Sequence, residues 1–366
     1  MEISLGAQSL GDRLAESIRD DGPMAFSAWV EACLYDPDGG FYAAGGSAGR
    51  RGDFLTSPEV GPLFGAVLAR WMDARWEALG RPNGFVVVEA AAGSGTLARA
   101  VVAAEPACLT EGRYIMVERS AALRSVQPTD ATFPGVCLSS VAHLADVGCI
   151  SHGVVLANEL LDNLAFGLLE VADGRWHEVL VDRESTGTTG EFREVLGDPV
   201  DLPAPVDAAA CSPGARIPVQ AEAAVWVDTA LGLLGVGSVL IVDYASTTSA
   251  MAARPPAEWL RTYRGHERGD VATNEPGTQD VTVEVAVDQL PDGAVVATQA
   301  EFLGAHGIAE LVDEGRRIWK TAAHLGDLTA LRGRSRVIES EALLDPSGLG
   351  GFTVLEWVRS SKVGSQ

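Results

Sequence analysis

The sequence predicts a doubly wound, Rossmann-like α/β domain carrying an N-terminal helical cap. Three observations lead there. Four short apolar runs, Phe85-Val86-Val87-Val88, Tyr114-Ile115-Met116-Val117, Gly153-Val154-Val155-Leu156 and Val239-Leu240-Ile241-Val242, have the length and continuity of strands buried on both faces. Helical patterns separate them, notably Ala221 to Leu234, and strands alternating with helices build a parallel sheet. The first run ends in a turn of small residues that opens a helix near Thr96.

In chain order, the cap comes first. Phe26, Trp29, Val30, Cys33 and Leu34 share one helical face between Ala25 and Leu34, and Asp36-Pro37-Asp38-Gly39-Gly40 ends that helix. Farther on, Ser57 is placed to cap a new helix, with Pro58 at its first position and Glu59 at its positive end. Leu63, Phe64, Val67, Leu68, Trp71 and Met72 make that helix long and half-buried. The pattern changes to strands at Asn83-Gly84. Residues 166–182 hold two apolar stretches around Asp173-Gly174, a hairpin signature. Residues 245–282, rich in Gly, Pro, Thr and Arg, read as a long surface excursion, and Val295–Thr298 and Phe352–Leu355 supply the last strands. The expected division is a cap over residues 1–82 and a Rossmann-like domain over 83–366, with insertions at about 163–218 and 245–282.

Composition narrows the functional classes. The 366 residues are 47% hydrophobic and 21% charged, as in a soluble globular chain. No apolar run approaches the ~18 residues of a membrane span, and the N-terminus lacks a signal-peptide pattern, so a cytoplasmic location is expected. A net charge of −23 disfavours nucleic acid and anionic membranes as partners. Arginine supplies all the basic residues except Lys320 and Lys362, a usage expected of a GC-rich bacterial genome. Five scattered cysteines and six unclustered histidines give no disulfide framework and no metal site.

The chemistry concentrates at strand ends. Val86-Val87-Val88-Glu89-Ala90-Ala91-Ala92-Gly93-Ser94-Gly95-Thr96 is an apolar strand, a carboxylate, a small-residue turn and a helix start. Small residues let the backbone approach a ligand, and a helix N-terminus offers unpaired N–H groups. Glu118 ends the next strand, roughly 20 to 25 residues on, where an acid accepts hydrogen bonds from ribose hydroxyls. An adenosine-containing cofactor is therefore expected. Gly93-Ser94-Gly95-Thr96-Leu97-Ala98 also fits the dinucleotide fingerprint, which keeps an NAD-dependent oxidoreductase open. Glu89 favours S-adenosylmethionine, because its carboxylate would repel a pyrophosphate and attract an ammonium. The third strand runs into Asn158-Glu159-Leu160-Leu161-Asp162. If a helix begins at Glu159, Asp162 lies one turn along the same face. The two carboxylates then either clamp a cationic guanidinium or act as base, or else, with Asn158, merely cap a helix.

These residues resemble the MidA-like methyltransferases, whose mitochondrial members assist assembly of respiratory complex I. The likeness runs from about residue 23 to the C-terminus. It is carried by Gly52-Asp53-Phe54-Leu55-Thr56-Ser57-Pro58-Glu59, the Glu89–Gly95 turn and Asn158-Glu159-Leu160-Leu161-Asp162. Tyr263-Arg264-Gly265-His266, Pro276-Gly277-Thr278-Gln279-Asp280 and Phe302–Ile308 add to it. The resemblance implies a class I methyltransferase sheet, S-adenosylmethionine as cofactor and a protein arginine as acceptor. It further implies that Glu89, Gly93, Ser94, Gly95, Thr96 and Glu118 hold the cofactor, that Asp53, Phe54, Thr56 and Ser57 close over it, and that Asn158, Glu159 and Asp162 line the acceptor side. Two positions depart from the family pattern: Ala91 and Ala92 replace Gly and Pro in the turn, and Leu164-Ala165 replaces a Leu-Pro pair. The departure in the turn keeps open a non-catalytic assembly factor that retains the fold.

Overall fold

The computed structural model describes residues 8–43, 56–183, 191–200, 206–264, 267–325 and 328–360. Its centre is a seven-stranded sheet: β1 (Val86–Ala90), β2 (Arg113–Val117), β3 (Cys137–Val141), β4 (Ile150–Asn158), β5 (Leu234–Asp243), β6 (Val295–Thr298) and β7 (Thr353–Arg359). The spatial order is β3-β2-β1-β4-β5-β7-β6. Neighbours pair in parallel from β3 through β5, and β7 runs antiparallel to both β5 and β6. The order reverses between β1 and β4, so the crevice at their carboxyl ends is where such a sheet takes its ligand.

The expected strands are those with two buried faces. Phe85, Val87, Val88, Val154, Val155, Val239 and Ile241 are all fully buried. Strand β3 has no counterpart among the apolar runs. It is an edge strand with Leu138 its one buried residue, so its sequence carries polar side chains where a central strand could not.

Helices α1 (Leu10–Asp21) and α2 (Phe26–Tyr35) form the cap. The expected helix from Ser57 is two pieces, α3 (Ser57–Val60) and α4 (Pro62–Ala78), and Thr56 stands at the cap position in place of Ser57. The break falls at Gly61, whose backbone is extended (φ 161°, ψ −176°), and packing keeps glycine there, because a Cβ would stand 2.3 Å from the Glu339 carboxyl carbon. Glu339 itself accepts the Leu63 N–H at 2.8 Å and so caps α4 from a distant part of the chain.

The hairpin is present as Gly167–Ala172 and Arg175–Arg183, within a five-stranded sheet that also includes Met24–Ala25, Phe192–Pro199 and Arg216–Val219. The 245–282 stretch leaves the central sheet, but it is no surface loop. Met251, Trp259, Ala272 and Val281 are buried with Leu14, Trp29, Val30, Phe166 and Val181 in one core. The Trp29 indole N–H donates to the Ala272 carbonyl at 3.0 Å. Its short strands and turns hide few large apolar side chains among many polar ones, which is why composition alone reads as exposed. At Gly277, φ is +81° and a Cβ would stand 2.0 Å from the Gly39 carbonyl oxygen, so this turn closes directly onto the cap.

Candidate functional site

A cavity of about 850 Å³ opens at the carboxyl ends of β1 and β4, between the sheet and the cap. Glu89, Gly93, Ser94, Thr96, Glu118, Asn158 and Glu159 line it, together with Thr56 and Glu59. Asp53 and Phe54 lie outside the described residues.

The floor is the turn after β1. Ala91 takes φ +53°, followed by Gly93 at +53° and Gly95 at +80°, before α5 (Thr96–Ala103) begins. Ala91 thus occupies the backbone region where glycine is favoured, at a cost of about 1 kcal/mol or more. The two glycines do different work. A Cβ on Gly95 would stand 2.5 Å from Pro128 Cδ, so packing demands glycine there; a Cβ on Gly93 would meet nothing within 4 Å. Gly93, not Gly95, is therefore among the residues facing the open space. The N-cap residue Gly95 offers no side chain to α5, and of the first-turn N–H groups that of Ala98 is engaged by the Glu89 carboxyl, which leaves the earlier ones for a ligand.

Glu118 fixes the turn. Its Oε2 accepts the Gly93 N–H at 2.9 Å and its Oε1 accepts the Ser120 N–H at 2.8 Å. Each oxygen keeps a second lone pair for a ribose hydroxyl. A charge-assisted hydrogen bond contributes about 1.5–3 kcal/mol, so Glu118→Ala is expected to weaken S-adenosylmethionine binding tenfold or more in calorimetry. Adenosine should weaken alike, and loss for S-adenosylmethionine alone would put Glu118 elsewhere.

Glu89 is buried, and its Oε2 accepts the Tyr114 hydroxyl at 2.7 Å. Burial pushes its carboxyl up to about 8, against the lowering effect of that hydroxyl. Such a group suits a cationic neighbour, since an ammonium within reach would restore the ionised form.

The acceptor side differs from the sequence expectation. Glu159 does not start a helix; it has φ +53°, and its N–H continues the ladder to the Val242 carbonyl at 2.8 Å. A short 3₁₀ turn, Leu161–Asn163, follows. Asp162 therefore does not share a helical face with Glu159 and is not among the cavity-lining residues. Its carboxylate accepts the Thr282 hydroxyl at 2.7 Å and the Asn163 amide at 3.1 Å. The cause is Asp243, fully buried at the end of β5. Its Oδ2 accepts the Leu161 and Asp162 N–H groups at 2.9 and 3.3 Å, which tightens the turn. Burial pushes up the carboxyls of both Asp162 and Asp243. It also raises Glu159 to about 8, with Asp162 adding to the shift.

Thr56 and Ser57 are both buried; Thr56 lines the cavity, whereas Ser57 does not, and its hydroxyl donates to Gln299 Oε1 at 2.8 Å. Further residues escaped the sequence reading, Asn163 beside Asp162 among them. Asp243 follows an apolar strand just as Glu89 and Glu118 do, so the same signal was present there. Tyr35, Tyr42 and Trp226 line the cavity from separate segments, and no local pattern marks them.

The residues present fit S-adenosylmethionine. An open floor at Gly93, a paired acid at Glu118 and a buried carboxyl at Glu89 supply room, ribose acceptors and a partner for the ammonium.

Comparison with known proteins agrees. A family model of S-adenosyl-L-methionine-dependent methyltransferases matches residues 67–306. The mitochondrial protein arginine methyltransferase NDUFAF7 homolog of Drosophila melanogaster is 29% identical over 387 residues, covering 94% of this chain and 83% of the fly protein. NDUFAF7 of Xenopus tropicalis is 27% identical, covering 83% of this chain and 77% of its own. A Burkholderia thailandensis protein crystallised with S-adenosyl-homocysteine superposes with a TM-score of 0.81 at 26% identity, over 96% of this chain and 92% of that one.

Proposed function

The chain belongs to this family of S-adenosylmethionine-dependent methyltransferases, and from that premise we propose that its methyl acceptor is the guanidinium of a protein arginine. One observation carries the reading. Asn158 Oδ1, Glu159 Oε2 and Asn163 Oδ1 are buried and have no hydrogen-bond partner among the described residues, and all three residues line the cavity. Unsatisfied buried acceptors are rare in folded proteins. A guanidinium brings five N–H donors and one positive charge in a planar fork. A hydroxyl acceptor brings a single donor and would leave two of the three oxygens stranded. The relatives named protein arginine methyltransferases support the same choice.

The cofactor supplies an electrophilic methyl carbon on sulfur. The remaining work falls to this chain. Asn158, Glu159 and Asn163 orient the acceptor nitrogen in line with that carbon and exclude water, which is where positional catalysis gains most. Glu159 takes the proton that the nitrogen gives up on methylation.

This role sets a pH dependence. Burial pushes the Glu159 carboxyl up to about 8 in the acceptor-free protein, whereas the bound guanidinium favours its ionised form. Below pH 8, binding must release a proton, and acceptor affinity falls by up to about tenfold per pH unit. At saturating cofactor, the acceptor KM is expected to fall as pH rises from 6 to 8 and then level. A KM constant over that range would remove Glu159 from the acceptor site.

The deciding experiment for the acceptor is incorporation of labelled methyl into proteins of a cell lysate, with the modified residue located by mass spectrometry. Methylarginine is the expected product. Label found on a carboxylate, a hydroxyl or a small molecule would refute the proposal.

A further inference from the structure

Arg119 is the only arginine or lysine among the described residues lining the cavity, whose acidic residues are Glu59, Glu89, Glu118 and Glu159. Its guanidinium does not pair with any of those four in the structure. The guanidinium carbon lies 4.1 Å from the centre of the Tyr35 ring, and Nη2 donates to Glu31 Oε1 at 3.0 Å. Tyr35 in turn stacks on Tyr42, with centroids 5.5 Å apart and planes 20° from parallel. Both rings are pinned by their hydroxyls: Tyr35 donates to the Asn163 carbonyl at 2.9 Å, and Tyr42 to Asp280 Oδ1 at 3.2 Å.

These contacts are the features that recognise a guanidinium: an aromatic face held still, and a carboxylate at its edge. Through the Tyr35 hydroxyl the platform is tied to Asn163, one of the three residues with a stranded acceptor oxygen. The Arg119 and Glu31 side chains remain 51% and 48% exposed, so a competing group can reach them.

We propose that Tyr35, Tyr42 and Glu31 form a guanidinium-docking platform at the mouth of the acceptor cavity, and that Arg119 occupies it in the resting protein as an internal competitor. The inference rests on arginine being the acceptor. An incoming arginine displaces Arg119 from the ring face on its way to Asn158 and Glu159. The contacts being exchanged are a cation–π pair on a half-buried ring and an exposed ion pair, each weak enough to be broken by a like group.

The alternative is that Arg119 only braces the cap against the sheet, and the two differ in sign. The probe is Nα-acetyl-arginine amide, titrated by calorimetry into the full chain loaded with S-adenosylhomocysteine. With the competitor removed, Arg119→Ala should bind the probe about three- to tenfold more tightly, and Tyr35→Leu should bind it more weakly than wild type. A brace predicts equal or weaker binding in Arg119→Ala. Nα-acetyl-lysine amide controls for charge, because an ammonium gains from the lost positive charge but lacks the flat stack. An equal gain for both probes would overturn the platform. Glu159→Gln is the third arm. If it weakens the arginine probe while Arg119→Ala changes nothing, this inference fails and the acceptor reading stands. If no variant or wild type binds the probe, both fall.

Discussion

Glu159→Gln is expected to abolish methyl transfer while leaving cofactor affinity within about threefold of wild type. The substitution keeps the shape of the side chain and its contact with Asn158, whose amide donates to Glu159 Oε1 at 2.9 Å. It removes the negative charge that pairs with the acceptor and the base that takes its proton. A positioned base alone contributes roughly 10²–10⁴ in rate, so a fall in kcat of at least 10² is the measurement to seek. S-adenosylhomocysteine binding by calorimetry is the companion readout. Asp162→Asn should behave differently. Asp162 lies outside the cavity lining and helps to raise the Glu159 carboxyl, so its neutralisation should shift the rate profile to lower pH rather than erase the activity. Equal and complete loss in both variants would mean that the turn as a whole, and not Glu159, had been damaged. Full activity in Glu159→Gln would overturn its proposed role.

Gly93→Val is expected to eliminate cofactor binding with the fold retained. A valine at φ +53° costs about 1–3 kcal/mol of backbone strain, which a 366-residue chain with three large apolar clusters should survive. The larger effect is steric. A Cβ at Gly93 would meet nothing within 4 Å, and the residue lines the cavity, so a larger side chain there fills space a ligand would need. Two methyl groups placed there should reduce affinity for S-adenosylmethionine at least a hundredfold, while thermal unfolding stays cooperative. Gly95→Ala provides the contrast. Its Cβ would meet Pro128 at 2.5 Å, so it should lower the melting temperature through packing. Wild-type affinity in Gly93→Val would show that the ligand does not use this turn.

Both experiments turn on residues whose types were legible in the sequence but whose relations were not. Glu89, Gly93 and Glu118 were recognisable because their signals are local. A strand buried on both faces must be a continuous apolar run, so its end is visible, and the acid or small residue just beyond it sits at the ligand edge of the sheet. The same logic extends to Asp243, at the end of β5.

Glu159 and Asp162 show where locality ends. Their spacing suits a helix, yet the Glu159 N–H bonds to β5 and Asp243 captures the next two free N–H groups. Two hydrogen-bonding partners some 80 residues away outweigh the few tenths of a kcal/mol by which helix propensities differ. The outcome is one carboxylate at the cavity and the other turned to Thr282.

The sequence by itself determined the central strands of the sheet, the small-residue turn after β1 and the acids at the strand ends, because burial on two faces and tight turns restrict residue type position by position. Only the tertiary structure decided which acceptor oxygens are buried without a partner beside the cavity, that Tyr35 and Tyr42 stack under Arg119, and that described parts of the 245–282 stretch share a core with the cap. Each of those depends on groups far apart in the chain, whose meeting is selected by the packing of the whole and leaves no periodic mark on any one segment.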